Sequence, residues 1–376
     1  MNEVVITGIG MVTPLGVGRE KTWSALTASA SAVTKNPLYP GIVTASVEGL
    51  PFAPELRLLS MSFLAAAEAV DDARLNLNEI PAERVGCTVS VSKPNLASSD
   101  PRTIPFNEAF CANAVGEQLY RILKLRGPIR SINAACSTGT HSIMLAAQWI
   151  RDGICDVVIA GASESSLHPL YIAGFNKMGV LAKEQVRPFD KHREGFAMGE
   201  GAGILILEHK HHALMRGAKI YGILNGWAMA NDTHAPCSFS PDGASIAGAI
   251  KNALKMSRQT TVDYINAHGT ATPANDLAES NAIKLALGEN AKNISISSTK
   301  AATGHLLGAS GAVEFAVSLL AIRDNTAPPT LNLNFPDPAC ELDYTPHISC
   351  RRTITSAMSL SFGFGGQIGV LMAKTF

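Results

Sequence analysis

The sequence has little charge and no excess of either sign. Lys and Arg number 31, Asp and Glu number 31, and charged residues make up 16% of the chain. This balance excludes the broad basic surface of a nucleic-acid-binding protein. No apolar run approaches the roughly 18 residues that span a bilayer, so we expect no membrane contact. The first residues, Met-Asn-Glu-Val-Val-Ile, include an acid and no basic leader, and they do not predict a signal peptide.

Paired cysteines are also missing. The seven cysteines are an odd number, and none stands in a Cys-x-x-Cys pair. A disulfide framework and a zinc site are therefore not expected, and we predict a reduced, cytoplasmic protein with no metal. The histidines at 209, 211 and 212 lie in a charged segment. We interpret them as a solvated helix face.

Hydrophobic residues make up 46% of the chain, and the 32 glycines allow close packing. Short apolar strand-like segments alternate with helical patterns, which predicts an α/β fold with a mostly parallel sheet. We predict two α/β halves, 1–215 and 216–376, with a seam near 210–220. The strand-like segments are 4–6, 85–91, 130–133, 156–160, 204–207, 220–224, 264–267, 294–297, 358–362 and 368–372. The helical segments are 62–73, 142–151, 246–257, 277–287 and 312–323.

The segment Ile132-Asn-Ala-Ala-Cys136-Ser-Thr-Gly139 reads as a strand, a run of small residues and then a helix. This places the Cys136 thiol on a sharp turn, where unpaired N–H groups at the helix start favour a thiolate. Small neighbours let a substrate carbonyl approach. We predict Cys136 as a nucleophile and interpret other cysteines, such as Cys87, Cys111 and Cys155, as packing residues.

Two histidines follow other strands. His268 lies in Tyr264-Ile-Asn-Ala-His-Gly-Thr270-Ala-Thr272, and His305 lies in Lys300-Ala-Ala-Thr-Gly-His, before a helical segment. Sites in open α/β sheets gather beyond the carboxyl ends of strands, so both histidines are candidate site residues. Ser359-Leu-Ser-Phe362-Gly-Phe364-Gly-Gly366 follows a further strand. It fits either a plain hairpin or a turn whose exposed amides form an oxyanion hole or a gate.

Taken together, these motifs resemble the β-ketoacyl-acyl-carrier-protein synthases, and the synthase II type most closely. The resemblance covers nearly the whole length and includes Val5-Ile-Thr-Gly-Ile-Gly, Asn133-Ala-Ala-Cys136, Phe189-Asp-Lys-His-Arg-Glu-Gly, His268-Gly-Thr-Ala-Thr, Lys300-Ala-Ala-Thr-Gly-His305 and Gly363-Phe-Gly-Gly366. It implies the thiolase-like fold, in which two related halves stack as five layers, α-β-α-β-α. It also implies an enzyme of fatty-acid or type II polyketide synthesis.

The resemblance further implies a decarboxylative condensation. Cys136 would accept an acyl group from a carrier thioester, and His268 and His305 would assist the decarboxylation of malonyl-acyl-carrier protein. The backbone N–H groups of Cys136 and Phe364 would hold the oxyanion, and Phe364 would also gate the entry of malonate. Such a reaction needs no cofactor, because its substrates are carried on the phosphopantetheine of the carrier protein.

The remaining roles are also carried over from the family. Lys300 and Glu314 would order the histidines and water, Thr270 and Thr272 would contact the pantetheine arm, and Phe362 would line the substrate site. The implied partners are an acyl carrier protein and a second subunit, in a homodimer or a heterodimer with a paralogous chain. A basic patch would dock the acidic carrier, with these candidates: Lys191, Arg193, Lys124 and Arg126.

The sequence departs from the family pattern in three places. The part before Cys136 is short, around 35–60 and 90–108, so the length of the acyl chain is left open. Gln367-Ile368 replaces the usual Thr-Asn after Gly366, which is expected to change how the gate is tied. Glu194 replaces a more frequent Asp.

Other functions fit less well. A nicotinamide enzyme is rejected, because the third glycine expected after Gly8 and Gly10 would be Thr13 and no acidic residue ends a second strand about 20 residues on. A thiolase acting on coenzyme A lacks an evident second catalytic cysteine. The alternative left open is a chain-length-factor-like subunit, although that class usually lacks the cysteine.

Overall fold

The computed structural model describes residues 2–50, 56–94, 96 and 113–376, so Cys111 and most of segment 90–108 lie outside the described residues. The strands are β1 Val4–Thr13, β2 Gly16–Val17, β3 Thr34–Lys35, β4 Val43–Ala45, β5 Val85–Cys87, β6 Val157–Glu164, β7 Met198–Gly199, β8 Gly201–His209, β9 Gly222–Asn231, β10 Tyr264–Asn266, β11 Ser295–Ser297, β12 Thr326–Ala327, β13 Cys350–Arg351, β14 Ser356–Gly363 and β15 Gln367–Lys374. The helices are α1 Arg19–Thr27, α2 Arg57–Asp72, α3 Ala114–Ile122, α4 Thr138–Arg151, α5 Pro169–Lys177, α6 Lys210–Met215, α7 Ala244–Ser257, α8 Pro273–Leu287, α9 Lys300–Thr303 and α10 Ser310–Asp324.

The main sheet has ten strands in the order β11-β10-β14-β15-β9-β1-β8-β6-β5, with β2 paired to β1. It is mixed: β10 runs parallel to β11 and β14, β5 runs parallel to β6, and the other pairs of this sheet are antiparallel. The prediction of a mostly parallel sheet is therefore wrong. Strands covered on both faces are apolar throughout whichever way their neighbours run, so the apolar runs carried no information on direction.

Some helices lie between strands of the first half and strands of the second half of the chain, and others lie outside them. α4 packs on β6, β8 and β15, and α10 packs on β8, β10 and β14, so both contact strands from each half of the chain. α2 covers β1 and β8 from outside, while α7 covers β9 and β15 and in turn contacts α8. α10 is buried from Ser310 to Ile322, as a helix in a central layer must be. This is the five-layer α-β-α-β-α arrangement that the sequence predicted.

Two glycines bring the central helices into close contact. A Cβ on Gly311 would lie 2.1 Å from the Thr140 hydroxyl, and a Cβ on Gly139 would lie 2.8 Å from the Ala312 backbone nitrogen. Neither distance is possible for a real side chain, so the first turns of α4 and α10 touch only because both positions are glycine. As a result, the turn that carries Cys136 lies beside the turn that follows His305.

The strand expected at 130–133 does not form. Ile129 makes a single bridge to Cys87, and the next amides are taken by other acceptors: Arg130 N–H donates to Cys87 O, and Ile132 N–H donates to the Ser90 hydroxyl. The strand expected at 85–91 is likewise confined to Val85–Cys87. All five predicted helices are present, each beginning a few residues earlier than predicted.

The seam expected near 210–220 contains α6, and β1 pairs with both β8 before it and β9 after it. The division into 1–215 and 216–376 stays a prediction. Within the described part of the chain, no group of three or more His, Cys, Asp and Glu side chains could hold a metal ion. A search of the same residues for a helix with the length and hydropathy of a bilayer span finds none.

Candidate active site

One cavity of about 220 Å³ brings together the residues that the sequence singled out. It opens between the Cys136 turn, the strand ends of the second half and the hairpin loop after β14. Its lining includes Cys136, His268, Thr270, Thr272, His305, Phe362 and Phe364. Lys300 and Glu314 are fully or almost fully buried behind it. The individual roles of these residues stay predictions, while their placement around one cavity is observed.

Cys136 lies in the short 3-10 turn Ala135–Ser137 that leads directly into α4. Ala135 has a left-handed φ of 49°, a conformation that costs energy outside glycine. The Thr138 hydroxyl holds the turn, because it accepts from Ala134 N–H at 3.0 Å and donates to Ala135 O at 2.7 Å. The turn therefore aims the thiol into the cavity at the positive end of a helix.

Cys136 is buried, with 7% of the residue exposed. Burial raises the pKa of this thiol, while the ammonium groups of Lys93 and Lys300 lower it. The sequence had considered only the helix start, which favours the thiolate. The structure corrects that expectation by adding a desolvation cost that opposes ionisation.

His305 is fixed in one tautomer by two donors. Its Nδ1 lies 3.3 Å from Leu307 N–H, which donates to it, and 2.9 Å from the Ser310 hydroxyl. A nitrogen that accepts from a backbone N–H carries no proton, so in the neutral ring the proton is on Nε2. Burial, together with the charges of Lys300 and Lys93, holds the pKa of His305 well below its usual value. His305 is thus a neutral ring with one N–H to donate.

His268 is held through its backbone. Glu279 accepts from His268 N–H at 2.6 Å and from Gly269 N–H at 2.8 Å, which fixes the loop after β10. The ring lies edge-on to His305, with centroids 5.4 Å apart, and 5.1 Å from Phe362. Its Nδ1 is buried without a hydrogen-bond partner in the described structure. Burial and the charge of Lys300 hold the pKa of His268 well below its usual value.

Lys300 and Glu314 form a buried ion pair through Nζ and Oε1. Burial raises the pKa of Glu314 to about 7, although Lys300 pulls it down. No direct hydrogen bond joins this pair to either histidine among the contacts described here. Its effect on the rings is electrostatic, because the Lys300 charge disfavours a second positive charge on His268 or His305.

The hairpin between β14 and β15 closes over the nucleophile. A Cβ on Gly363 would lie 2.7 Å from Ala134 O and 3.0 Å from Cys136 N, so only glycine allows this approach. The loop is tied to the segment after β9: Gly365 N–H donates to Pro236 O at 2.7 Å, and Asp232 N–H donates to Gly366 O at 2.8 Å. The Phe364 ring lies 6.3 Å from that of Phe175.

Thr270 and Thr272 lie in the cavity wall just before α8, with their hydroxyls 2.9 Å apart. Their backbone is fixed by Asp276, which accepts from Ala271 N–H at 3.2 Å and from Phe189 N–H at 2.8 Å. Burial raises the pKa of Asp276 to about 6 and that of Glu279 to about 8. Sequence analysis did not select either acid as a site residue. A usable signal was their position in the first two turns of the helix that follows the His268 loop.

The docking candidates need correction. Arg193 is buried, because its guanidinium lies 2.6 Å from Asp337 and 3.9 Å from Asp276. Lys124 and Arg126 are exposed but lie near the start of β5, since Arg126 N–H donates to Ala82 O, and neither lines the cavity. Lys191 is exposed, and its Nζ stands 5.1 Å from the centre of the Phe335 ring.

A buried thiol at a helix start thus lies across one cavity from two imidazoles whose pKa values are well below the usual value, an arrangement suited to nucleophilic catalysis by a cysteine. The chain belongs to the β-ketoacyl synthase family. Residues 1–41 and 57–213 match the family's N-terminal domain, and residues 221–334 match its C-terminal domain. Residues 42–56 fall outside the match, within the stretch 35–60 where the sequence suggested a shortening.

Relatives and solved structures agree with this assignment. The chain is 38% identical to 3-oxoacyl-[acyl-carrier-protein] synthase 2 of Coxiella burnetii, with 98% of each chain covered. It is 33% identical, with a TM-score of 0.93, to a ketosynthase solved with its type II polyketide acyl-carrier protein and bound hexaketide, covering 100% of this chain and 99% of that one. The ishigamide ketosynthase/chain length factor gives 29% identity and a TM-score of 0.90, covering 100% and 99%. The thiolase-like fold is therefore confirmed.

Proposed function

We propose that the protein condenses a Cys136-bound acyl group with malonyl-acyl-carrier protein to give 3-oxoacyl-acyl-carrier protein, in fatty-acid or polyketide synthesis. The observation that carries the proposal is the cavity in which a cysteine in the turn before α4 faces two neutral histidines. The names of its full-length relatives support the same reaction.

In the first step, the Cys136 sulfur attacks the acyl thioester of the carrier. A C–S bond forms to Cys136, the bond to pantetheine sulfur breaks, and the cysteine proton ends on the departing thiol. Negative charge collects on the carbonyl oxygen, and the N–H groups of Cys136 and Phe364 are the proposed donors that hold it. Gly363 serves this step by letting the Phe364 loop lie against the Cys136 turn.

In the second step, malonyl-carrier protein enters and loses carbon dioxide. The electron pair of the broken C–C bond remains as an enolate, which attacks the acyl carbon on Cys136 and expels the cysteine thiolate. An enolate oxygen needs donors that are already in place, and neutral histidines with a free N–H supply them. Decarboxylation delivers the carbanion without a strong base, so the proposed reaction requires no metal and no redox cofactor.

Neutral rings are better suited to this step than charged ones. An imidazolium would hold the malonyl carboxylate as an ion pair and so oppose the loss of carbon dioxide, whereas a neutral N–H stabilises charge mainly as it develops. Lys300 and the burial of both rings keep His268 and His305 neutral over the physiological range. Lys300 and Glu314 are therefore proposed to act on the histidines through their field.

The proposed partners are an acyl carrier protein and a second subunit. The support for a second subunit is the similarity to the ishigamide ketosynthase/chain length factor, since single exposed apolar side chains such as Ile122 and Leu170 are common on monomers. We propose a homodimer, with a heterodimer as the other outcome of sedimentation with and without a paralogous chain. A monomer at micromolar concentration would contradict both. The six described cysteines are free, which supports a reducing, cytoplasmic setting.

A chain-length-factor-like role without catalysis is the alternative. Cys136, His268 and His305 are all present and line one cavity, which argues against it. The deciding experiment incubates the protein with acyl-carrier proteins of several chain lengths and malonyl-carrier protein, and identifies products by mass spectrometry. A 3-oxoacyl product that is lost in Cys136→Ala supports the enzyme. No product at any chain length, alone or with a paralogous subunit, would refute it.

A further inference from the structure

A second lysine, Lys93, is close enough to Cys136 for its charge to lower the pKa of the thiol, and sequence analysis did not select it. Lys93 follows β5, and its side chain is 20% exposed. Its Nζ donates to the Ser92 hydroxyl at 2.9 Å, lies 4.0 Å from Glu164 Oε2 and stands 5.7 Å from the centre of the Phe175 ring. The ammonium group is therefore held by one hydroxyl, one carboxylate and one aromatic face.

Glu164 ties this lysine to the catalytic turns. It ends β6, is 1% exposed, and accepts from Gly308 N–H at 3.1 Å and from the Ser166 hydroxyl at 2.6 Å. Gly308 belongs to the 3-10 turn Leu307–Ala309, which packs against the turn of Cys136. Phe175 lies in the same apolar cluster as Cys136. Lys93 and Glu164 thus form a lysine–carboxylate pair beside the thiol, contributed by the first half of the chain.

We propose that Lys93 is a positioning residue whose ammonium group stabilises the thiolate of Cys136 before acylation, while Glu164 holds that ammonium in place. The charge of Glu164 is shared among three hydrogen-bond donors, namely the Ser92 and Ser166 hydroxyls and Gly308 N–H. Among the residues that the structure describes, the only acceptors that Lys93 meets are the Ser92 hydroxyl at 2.9 Å and Glu164 at 4.0 Å, so its charge is less compensated. By contrast, the charge of Lys300 is offset by its direct ion pair with Glu314.

The electrostatics of the thiol agree with this geometry. The charged groups that act on Cys136 are Lys93, Glu164, Lys300 and Glu314, and both nearby histidines are neutral. Burial has the largest effect on the pKa of Cys136 and raises it. Lys93 has the next largest effect and lowers it, ahead of Glu164, which raises it. Lys93 therefore offsets part of the desolvation cost that a buried thiolate carries.

The test is the pH dependence of Cys136 alkylation by iodoacetamide in the full-length protein. Peptide mapping must separate Cys136 from the exposed Cys237 and Cys350. Removing the charge in Lys93→Met is expected to move the midpoint of the profile upward by about half a pH unit or more, as expected for loss of a nearby cation. Lys93→Arg should stay near the wild type, because it keeps the positive charge. Lys183→Met, at an exposed lysine, is the control for charge removal in general.

Each outcome decides the matter. An unchanged midpoint in Lys93→Met would overturn the proposal. So would an equal upward shift in Lys93→Met and Lys93→Arg, because it would mean that the shape of the side chain and not its charge matters. The inference rests on the proposed role of Cys136, but alkylation needs neither carrier nor substrate. A protein that shows these shifts yet makes no 3-oxoacyl product would contradict the proposed function and leave this inference standing.

Discussion

The buried pair of Lys300 and Glu314 makes the stability of the protein depend on pH in a way that one substitution exposes. Burial raises the pKa of Glu314 to about 7, above its value in the unfolded chain. The folded protein therefore takes up a proton there, and this group makes folding less favourable as the pH rises towards 7. Above pH 7 the carboxylate ionises against Lys300, and the loss levels off.

Lys300→Met removes the cation that permits this ionisation. The pKa of Glu314 should then rise further, so that the free energy of unfolding continues to fall above pH 7, by about 1.4 kcal/mol for each pH unit. Between pH 6 and pH 9 the free energy of unfolding of the variant should fall by about 3 kcal/mol more than that of the wild type. The total loss at pH 9 should be about 3–5 kcal/mol, the usual cost of leaving a buried charge without its partner.

Thermal unfolding followed by fluorescence at a fixed scan rate measures this effect. An unfolding entropy of about 2.1 cal/mol/K per residue over 376 residues gives about 0.8 kcal/mol/K. The extra 3 kcal/mol therefore corresponds to a Tm about 4 °C lower at pH 9, relative to the wild type, than at pH 6. The double variant Lys300→Met, Glu314→Gln lacks the titrating group and should show no such pH dependence. An equal loss of Tm at pH 6 and pH 9 in Lys300→Met would refute the reasoning.

Three further predictions concern catalysis. Gly363→Ala should abolish condensation, because its Cβ would lie 3.0 Å from Cys136 N. Gly365→Ala has no atom within 4 Å of the added carbon, so it should cost only the strain of its left-handed φ, about 1–2 kcal/mol of stability. Equal activity in the two folded variants would contradict this. His305→Ala should lower the rate of malonyl decarboxylation by a factor of about 10²–10³ and the rate of self-acylation far less. Single-turnover assays with each substrate measure the two rates. Slow acylation with normal decarboxylation would contradict this assignment. The rate with carrier-bound substrate should fall as salt rises, since exposed charges are screened over about 8–10 Å, while the rate on a pantetheine analogue should stay constant; equal salt dependence would exclude electrostatic docking.

Much of the site could be predicted because each reactive residue stands in a short segment with its own signal. Cys136 precedes a helix and His268 follows a strand, as predicted, whereas His305 follows the short helix α9. The local patterns therefore selected the three residues, but the carboxyl ends of the strands do not share one edge in this mixed sheet. Helix positions were also recovered, since an apolar stripe of helical period spans many residues. Their starts were missed by a few residues. In α4, α7 and α10 the reason is that the first turn begins with small residues that continue the preceding loop.

The parts that could not be predicted depend on contacts between distant segments. Strand direction is set by which strands become neighbours, and apolar runs are the same in both cases. The burial of Arg193 follows from its pairing with Asp337, which lies 144 residues away. Two further contacts likewise appear only when the chain is folded. Glu279 accepts a hydrogen bond from His268 N–H, and Lys93 lies beside Cys136.

The central claim is that the acyl group passes through Cys136, and one measurement tests it most directly. The protein is mixed with an acyl-carrier thioester, stopped by acid, digested and examined by mass spectrometry before and after malonyl-carrier protein is added. The account predicts an acyl mass on the peptide that contains Cys136, and its disappearance as 3-oxoacyl-carrier protein forms. An acyl mass on another residue, or one on Cys136 that persists while product accumulates, would contradict it.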